Sequence, residues 1–255
     1  MAIVTRDWIC QTIQERILSG ELRPGMRLSE VSMAKELNVS RTPLREAFST
    51  LISQGILTRL PTGAVFVREV TGEEVRDIYE MRLWLEPGAA QVAAEKISES
   101  QLQILRECCE KGTRLCERIG DGTIPVSEYA QCQYVHMVEI DIPFHLTLCE
   151  ATGNSILHPF MRRLRILQRS WIPLPIRTFS AEDYPRVTQE HWEIYEAVAC
   201  HEGLLALERV QRHVAHALDK VMVLIEQEKR VTMGDCSKIS ELIRSRVPVV
   251  PVTDS

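Results

Sequence analysis

Histidine and aspartate side chains in the second half of the chain have the types and spacing that could bind a metal ion. Asp141 and His145 are four residues apart, so a helix would place them on one face, where two side chains can share an ion. His191 and His213 each align with apolar residues on the inward side of a predicted helix. Three imidazoles and one carboxylate that meet inside one bundle suit Zn²⁺, Ni²⁺ or Mn²⁺ and leave coordination positions open.

Each of these histidines also has a simpler interpretation. An inward-facing His on an amphipathic helix is more often a hydrogen-bonded core residue than a metal ligand. His216 lies one helical turn from His213 and is an alternative ligand. Pro143 lies between Asp141 and His145, so it would start or kink the helix that carries them.

A second candidate site lies near the amino terminus, where residues 27–67 predict a winged helix-turn-helix. Ser40 is a suitable N-cap, and Pro43 falls in the first turn of the helix that follows. Gly55 would end this helix. Two short strands on either side of Gly63 would then form a hairpin wing.

The polar side of this predicted helix has the side chains that bind duplex DNA. Arg41 and Arg45 could contact phosphates or guanine O6 and N7 in the major groove, and a wing with Gly63 at its tip could lie against the neighbouring backbone. The alternative is a structural helix pair with solvated arginines. The predicted DNA-binding residues are Ser40, Arg41, Thr42, Arg45, Ser49 and Gly63.

Charge and composition limit the classes of protein that the chain can belong to. Residues 1–70 contain nine Lys and Arg against seven Asp and Glu, whereas the remainder of the 255 residues has a net charge of −7. A slightly positive amino-terminal part suits DNA contact at one end. The sequence contains neither a signal-peptide stretch nor an apolar run of membrane length, so we expect a cytoplasmic protein without a membrane partner. The eight cysteines have no C-x-x-C spacing and are predicted to be reduced.

The predicted fold class is mainly α, with an N-terminal winged helix-turn-helix and a C-terminal all-α bundle. Thr71 and Glu74 resemble a capping box at the start of the second domain. We expect a DNA-binding domain at 1–70, a helical domain at 71–228 and a mobile tail at 229–255. Helices are predicted at 7–19, 73–96, 99–119, 126–151, 153–171, 186–201 and 203–228.

Both domains resemble known protein families. The first resembles the GntR family of bacterial transcription regulators through Leu22, Pro24-Gly25, Arg27-Leu28, Glu30, residues 39–47, Leu51, Gly55 and Gly63. The second resembles the FCD effector domain of the FadR branch through Tyr79, Arg82, Leu85, Glu86, residues 141–145, Asn154, Glu190-His191 and His213. The resemblance of the first domain to the GntR family implies operator contact by Arg41, Thr42, Arg45 and Gly63. Some members of the GntR family carry an arginine where this chain has Val31, so the DNA contact of that arginine is not expected here.

The resemblance to the FCD domain also implies a metal and an effector. A divalent ion, Zn²⁺ first with Ni²⁺ or Mn²⁺ as alternatives, would bind a small carboxylic acid at its open positions. Arg82 is the first candidate to bind the acid, and its alternative role is a surface pair with Glu86 worth only about 0.5 kcal/mol. Asn154 would donate to the acid or cap the following helix. Arg162, Arg165 and Arg169 rank lower and are expected to be mostly solvated. The implied metal ligands are Asp141, His145, His191 and His213.

We therefore expect a sequence-specific regulator that binds a palindromic operator as a homodimer and responds to the acid. One alternative is a metal-dependent hydrolase with a DNA-binding appendage. Glu190, the nearest candidate base, is expected to point elsewhere because it is adjacent to His191 on a helix. Without a base or a nucleophile elbow, we expect no catalytic residues and no enzyme. A further alternative is a regulator that senses the metal itself.

Overall fold

The protein is described by a computed structural model that covers residues 5–120, 126–170 and 181–234. Its amino-terminal part is a winged helix-turn-helix, as the sequence predicts, and the remainder is helical. The amino-terminal elements are α1 (Arg6–Leu18), β1 (Arg27–Leu28), α2 (Glu30–Glu36), α3 (Arg41–Ser53), β2 (Leu57–Arg59) and β3 (Val65–Val67).

Local caps explain where the first helices begin and end. The Thr5 side chain accepts a hydrogen bond from the backbone of the first turn of α1, and Ser29 does the same for α2. Ser40 has the extended backbone of an N-cap before α3, although its side chain makes no capping hydrogen bond. Gly55 follows α3 with a φ of 71°, a left-handed conformation that glycine adopts without steric cost. The predicted ends of the recognition helix are confirmed.

The wing is part of a three-stranded antiparallel sheet with the order β1-β3-β2. Phe66 at its centre is paired with Thr58 on one side and with Arg27 on the other. The hairpin was predicted from the sequence, but β1 was not, because a two-residue strand has too short a pattern to detect. This extra strand joins the wing to the start of the helix-turn-helix.

The carboxy-terminal part is a bundle in which α4 and α10 pack side by side in opposite directions. Gly72 at the start of α4 lies against Ile225, and Gly203 at the start of α10 lies against Gln91. Thr71 and Glu74 form the predicted capping box. The helices are α4 (Gly72–Lys96), α5 (Glu99–Ile119), α6 (Val126–Val135), α7 (Ile142–Ala151), α8 (Leu157–Arg169), α9 (Asp183–Ala199) and α10 (Gly203–Gly234).

The prediction of one continuous helix over 126–151 was wrong. Between α6 and α7 the chain forms a π-helical segment, His136–Asp141, with the wider turn of that helix type. Pro143 lies in the first turn of α7. A proline has no backbone N–H to donate to the preceding turn, so the regular α-helical ladder is interrupted at this point. The prediction that Pro143 starts or kinks the helix is confirmed.

Two hydrophobic cores organise the molecule, and residues of the helical bundle contribute to both, since Leu146 packs against each of them. The larger core lies within the bundle, and the smaller one fills the winged helix-turn-helix. Ile142 and Ile166, from α7 and α8, belong to the smaller core and are buried. The last helix extends beyond its predicted end at 228, and the remainder of the predicted tail lies outside the described residues. In the described part of the chain, no helix is long and apolar enough to cross a membrane.

Candidate metal centre and DNA-binding surface

Four predicted ligands converge inside the bundle, although they come from widely separated parts of the chain. Asp141 ends the π-helical segment, His145 lies one turn later in α7, and His191 and His213 come from α9 and α10. One ligand atom from each lies within 4.8 Å of the others, and all four residues are buried. The fold therefore assembles the predicted group of one carboxylate and three imidazoles.

The distances within this group fit a single ion. Nε2 of His145 lies 3.1 Å from Nε2 of His213 and 3.4 Å from Oδ1 of Asp141. The same carboxylate oxygen lies 3.8 Å from Nε2 of His191 and 3.9 Å from Nε2 of His213. Ligand atoms about 2.0–2.1 Å from one ion lie about 3 Å or slightly more from each other. The group therefore needs only a small contraction to enclose an ion.

Two carboxylates outside the group orient the imidazoles. Nδ1 of His145 lies 2.8 Å from Oε2 of Glu86, and Nδ1 of His213 lies 2.8 Å from Oε2 of Glu190. The other oxygen of Glu190 lies 2.6 Å from Nδ1 of His216. Nδ1 of His213 is hydrogen-bonded to Glu190, and a carboxylate at Nδ1 keeps the proton on that nitrogen and turns the Nε2 lone pair towards the ion. The contact of His145 with Glu86 is equally short but lacks hydrogen-bond geometry, so Glu86 acts on this imidazole through its charge.

This orientation creates a requirement for positive charge at the centre of the group. If both Nδ1 atoms hold protons, the Nε2 lone pairs of His145 and His213 face each other at 3.1 Å. Nε2 of His191 is buried without a hydrogen-bond partner among the described residues. A divalent cation satisfies all three nitrogens at once, whereas a single proton satisfies only one pair. The donor set and its surroundings therefore fit a metal ion.

The pKa values of these groups reflect the same electrostatics. Burial alone would raise the pKa of the Asp141 carboxyl, but Arg165 and the neighbouring imidazoles hold it well below its ordinary value. Burial and the adjacent His213 and His145 lower the pKa of His191. Burial opposes protonation of His213, but Asp141 and Glu190 outweigh it and raise its pKa. Without an ion, Asp141 and Glu190 thus favour the protonated form of His213.

Arg165 holds the outer oxygen of the aspartate ligand, a role that the sequence did not predict. Its Nη1 donates to Oδ2 of Asp141 and to Oε1 of Gln168, both at 3.1 Å. The residue is only 1% exposed, so the expectation of a mostly solvated arginine was wrong for this position. Because Oδ2 is bound by Arg165, Oδ1 is the oxygen that faces the imidazoles.

Arg82 is also buried, and its pair with Glu86 is not a surface pair. Nε of Arg82 donates to Oε1 of Glu86 at 2.8 Å, with the two side chains 1% and 2% exposed. Its guanidinium lies 4.7 Å from the centre of the Tyr79 ring and also donates to Gln168. Both arginines therefore belong to one polar network around the metal group.

A small cavity lies beside the metal group. It contains about 20 Å³ of free space, which is room for about one water molecule. Asn154 does not contribute to it: its Oδ1 accepts hydrogen bonds from the backbone N–H groups of Ile156 and Leu157 before α8. Of the two roles predicted for Asn154, the structure shows the one at the start of α8. The polar residues that line the cavity include Tyr79, Arg82, Asp141, Gln168, His213 and His216.

Glu190 differs from its expected orientation. It was predicted to point away from the site, but both of its oxygens lie against imidazoles. Glu86 and Glu190 were not recognised as partners of ligands, although one signal was available. In α4, Tyr79, Arg82 and Glu86 occupy the buried stripe at helical spacing, where a charged residue needs an internal partner.

The predicted DNA-binding side chains lie on the exposed side of α3. Arg41 and Arg45 are more than half exposed, and Gly63 lies exposed at the wing with a φ of 85°. Ser40, Thr42 and Ser49 are exposed on or beside the same helix. The structure therefore groups the side chains of this helix on one accessible surface.

Glu30 at the start of α2 interacts with both arginines of this surface. Its Oε2 accepts a hydrogen bond of 2.7 Å from Nε of Arg45 and lies 3.7 Å from Arg41. The hydrogen bond from Arg45 lowers the pKa of the Glu30 carboxyl. Val31, which stands where some family members have arginine, is 62% exposed beside it.

Comparison with known proteins agrees with both parts of this geometry. Residues 77–216 match the FCD domain family, and residues 5–67 match the family of bacterial regulatory proteins called gntR. This chain belongs to the GntR family. It is 32% identical over 173 residues to the Nta operon transcriptional regulator of Aminobacter aminovorans, covering 67% of this chain and 76% of that protein.

Other GntR relatives cover nearly the whole chain. The transcriptional regulator LutR of Bacillus subtilis is 27% identical over 230 residues, covering 83% of this chain and 98% of the relative. The solved structure of E. coli McbR/YncC has a TM-score of 0.70 at 21% identity, over 89% of this chain and 99% of that one, and supports the fold.

Membership of this family identifies the protein as a transcriptional regulator and not as an enzyme. The relatives are regulators, and the two families are those of a DNA-binding head and an effector domain. The hydrolase alternative is therefore set aside. The structure gives a physical reason as well, because the two oxygens of Glu190 are already engaged by His213 and His216.

Proposed function

We propose that this GntR regulator binds a palindromic operator as a homodimer and that a small carboxylic acid, bound at a metal site in the FCD domain, controls its operator affinity. In this proposal residues 1–70 bind DNA, 71–228 bind the effector and form the dimer, and the chain belongs to the FadR branch, which the FCD match supports. The observation that carries the proposal is the buried group of Asp141 and three imidazoles, in which Nε2 of His145 and Nε2 of His213 lie 3.1 Å apart.

The DNA contact rests on the exposed face of α3. Arg41 and Arg45 are accessible at the start of a helix that fits the major groove, and the wing around Gly63 can approach the adjacent backbone. Ser40, Thr42 and Ser49 supply hydroxyl groups beside them. A two-fold symmetric pair of such heads matches the two half-sites of a palindrome.

The metal site rests on the chemistry of its donors. Asp141, His145, His191 and His213 would hold the ion, for which we propose Zn²⁺, with Ni²⁺ or Mn²⁺ compatible with the same ligands. A bound ion would supply open coordination positions for a carboxylate. The carboxylates Glu86 and Glu190 keep the imidazoles in the orientation that this requires.

The charge of the buried network supports an anionic effector. The carboxylates of Asp141, Glu86 and Glu190 carry three negative charges, and Arg82 and Arg165 carry two positive charges. With neutral imidazoles, a divalent ion leaves this buried region with one excess positive charge. Buried charge is costly unless it is compensated, so an acid with a single negative charge is the favoured ligand.

Arg82 is the residue that we propose to recognise the acid, because it lines the cavity beside the metal group. Its guanidinium is held in place by Glu86 and Tyr79, so it is fixed before any ligand arrives. Asn154 is not included, because it does not line this cavity.

Two experiments on the purified protein test the proposal, and neither requires a defined operator or a defined acid. Selection of bound duplexes from a random library would identify the operator, and native mass spectrometry would identify the metal and any acid retained from cells. We expect dimers with one ion per chain and an operator affinity that changes when the acid is added. Equal affinity for the operator with and without every tightly bound acid would refute control by an acid. Dependence on the ion alone would identify a metal sensor.

A further inference from the structure

Helix α8 lies between the metal group and the winged helix-turn-helix and uses a different face for each. Arg165 and Gln168, three residues apart, point into the polar network around Asp141. Ile166 and Arg169, also three residues apart, contact the amino-terminal domain. Because a helix is stiff along its length, a shift of one face moves the other.

The contact of α8 with the DNA-binding domain is both apolar and polar. Ile166 is fully buried in the core of the winged helix-turn-helix. Nε of Arg169 donates to the carbonyl oxygen of Leu18, the last residue of α1, at 3.3 Å. Arg162 lies 3.8 Å from Glu15 of the same helix. Residues on three successive turns of α8 thus contact the amino-terminal domain along α1.

A second connection begins at the metal ligand itself. Asp141 is followed directly by Ile142, which is buried in the same amino-terminal core as Ile166. Asp141 is in turn bound to Arg165. Each partner of this ion pair is therefore adjacent in sequence to an isoleucine that packs inside the DNA-binding domain.

We propose that the Asp141–Arg165 ion pair is the joint through which the metal site acts on the DNA-binding domain, with Ile142 and Ile166 as the two transmitting contacts. This inference rests on the proposed function and specifies its regulation. A ligand that pulls on Oδ1 of Asp141 or competes for the guanidinium of Arg165 changes how α7 and α8 lie against each other. The isoleucines carry this change into a close-packed core that cannot absorb it by deforming continuously.

Hydrogen–deuterium exchange of the full-length protein, with saturating Zn²⁺ and with a chelator, tests this proposal without an operator or an acid. In the wild type we expect Zn²⁺ to change the exchange of amides in α8 and also in α1, by about 5-fold or more. In Ile166→Ala we expect the change in α1 to fall to about 2-fold, because one of the two transmitting contacts is lost. The affinity for Zn²⁺, measured by competition with a chromophoric chelator, should be unchanged.

A matched control separates transmission from a general loss of packing. Ile119→Ala removes the same atoms from a buried position in the core of the bundle. We expect this variant to keep the response of α1 to Zn²⁺. If Ile166→Ala does not fold, Ile166→Val and Arg169→Ala weaken the same contact by smaller changes and should reduce the response in part.

The outcomes distinguish this inference from the function on which it rests. A wild-type protein that binds Zn²⁺ without any change in α1, or an Ile166→Ala variant with the full response, would overturn the inference and leave the metal site intact. A wild-type protein that does not bind Zn²⁺ would overturn the proposed metal site, and the inference with it. Loss of the response in Ile119→Ala as well would show that α1 reports packing and not transmission.

Discussion

The DNA-binding surface and the metal centre are built in opposite ways. Arg41 and Arg45 come from one short run of sequence, are exposed, and share a partly buried partner, Glu30. Asp141 and its three imidazole neighbours come from three distant segments and are buried among further charged groups. A surface of the first kind tolerates the loss of one member, whereas a network of the second kind depends on all of them.

Solvent is the physical cause of this difference. Water and salt screen the Glu30–Arg45 pair, so its contribution to stability is small. The Asp141–Arg165 pair is largely removed from solvent, so solvent would compensate the charge that remains after the loss of one partner far less than it does at the surface. Function and stability are therefore separable at the DNA-binding surface and coupled at the metal centre.

The largest expected effect follows from breaking the buried pair. Asp141→Ala should abolish Zn²⁺ binding and lower the free energy of unfolding by about 3–5 kcal/mol, because the buried Arg165 loses its nearest carboxylate and keeps the longer contact, of 3.6 Å, with Glu86. Chemical denaturation and a zinc titration would measure both. Asp77→Ala, at an exposed position in α4, is the control and should change stability by less than about 0.5 kcal/mol. A stable, zinc-binding Asp141→Ala would remove the distinction between the two regions.

At the DNA-binding surface, Arg45→Ala should weaken binding to the selected operator by about 5- to 150-fold and lower the salt dependence, because a contact to a base or phosphate is lost. Fluorescence anisotropy at several salt concentrations would measure this. Stability and zinc affinity should stay at wild-type values. Arg106→Ala, an exposed arginine of α5, is the control and should have no effect on the operator. Retained affinity and base preference in Arg45→Ala would contradict the assignment of α3.

Removing a carboxylate that orients a ligand should have an intermediate effect. Glu190→Gln should weaken Zn²⁺ binding by about 10- to 100-fold, because the imidazole of His213 loses its negatively charged partner. Glu193→Gln is a matched control on the same helix, since Glu193 pairs with Arg209 and Arg212 outside the site. Equal zinc affinities in the two variants would show that Glu190 does not support the ligand set.

The raised pKa of His213 predicts opposite pH dependences for zinc affinity and for the stability of the metal-free protein. Binding requires the neutral imidazole, so zinc affinity should rise by up to about tenfold per pH unit and level off above that pKa. In the metal-free protein, the proton on His213 stabilises the fold below the unfolded pKa of about 6.5, and this contribution is lost as the pH rises through the folded value. Zinc titrations and denaturation curves between the unfolded and the folded pKa of His213 would measure the two trends. A rise with pH of both the zinc affinity and the stability of the metal-free protein would contradict the raised pKa of His213.

The smallest expected effect concerns a residue that lies outside the network. Asn154→Ala should lower the free energy of unfolding by about 1 kcal/mol through the loss of its backbone hydrogen bonds before α8. Its affinity for the acid retained from cells should stay at the wild-type value, which calorimetry would measure. A lower acid affinity with unchanged stability would restore the role of Asn154 in effector binding.

The amino-terminal domain could be predicted in detail because its signals are local. Ser40 and Pro43 mark the start of α3, Gly55 marks its end, and short apolar runs on either side of Gly63 mark the wing. These signals act through backbone geometry and do not depend on distant segments. What remained undetected was β1, whose formation depends on pairing with β3.

The ligands of the metal centre could also be predicted, but not the network that surrounds them. Helical spacing and family resemblance predicted the group of one carboxylate and three imidazoles that the fold brings together, since both are properties of the sequence itself. The partners Glu86, Glu190 and Arg165 depend on how α4, α8 and α9 pack, and the spacing within one helix does not contain that information. The π-helical segment depends on tertiary packing in the same way, and it was missed for that reason.

Val31 bears on the selectivity of the proposed DNA contact. An arginine at this exposed position would add a charged contact that strengthens binding to many DNA sequences. A valine offers nothing to a phosphate and would contact an apolar group such as a thymine methyl. In the proposed operator complex, this position would therefore give up affinity that all DNA sequences share and make binding depend more on the sequence.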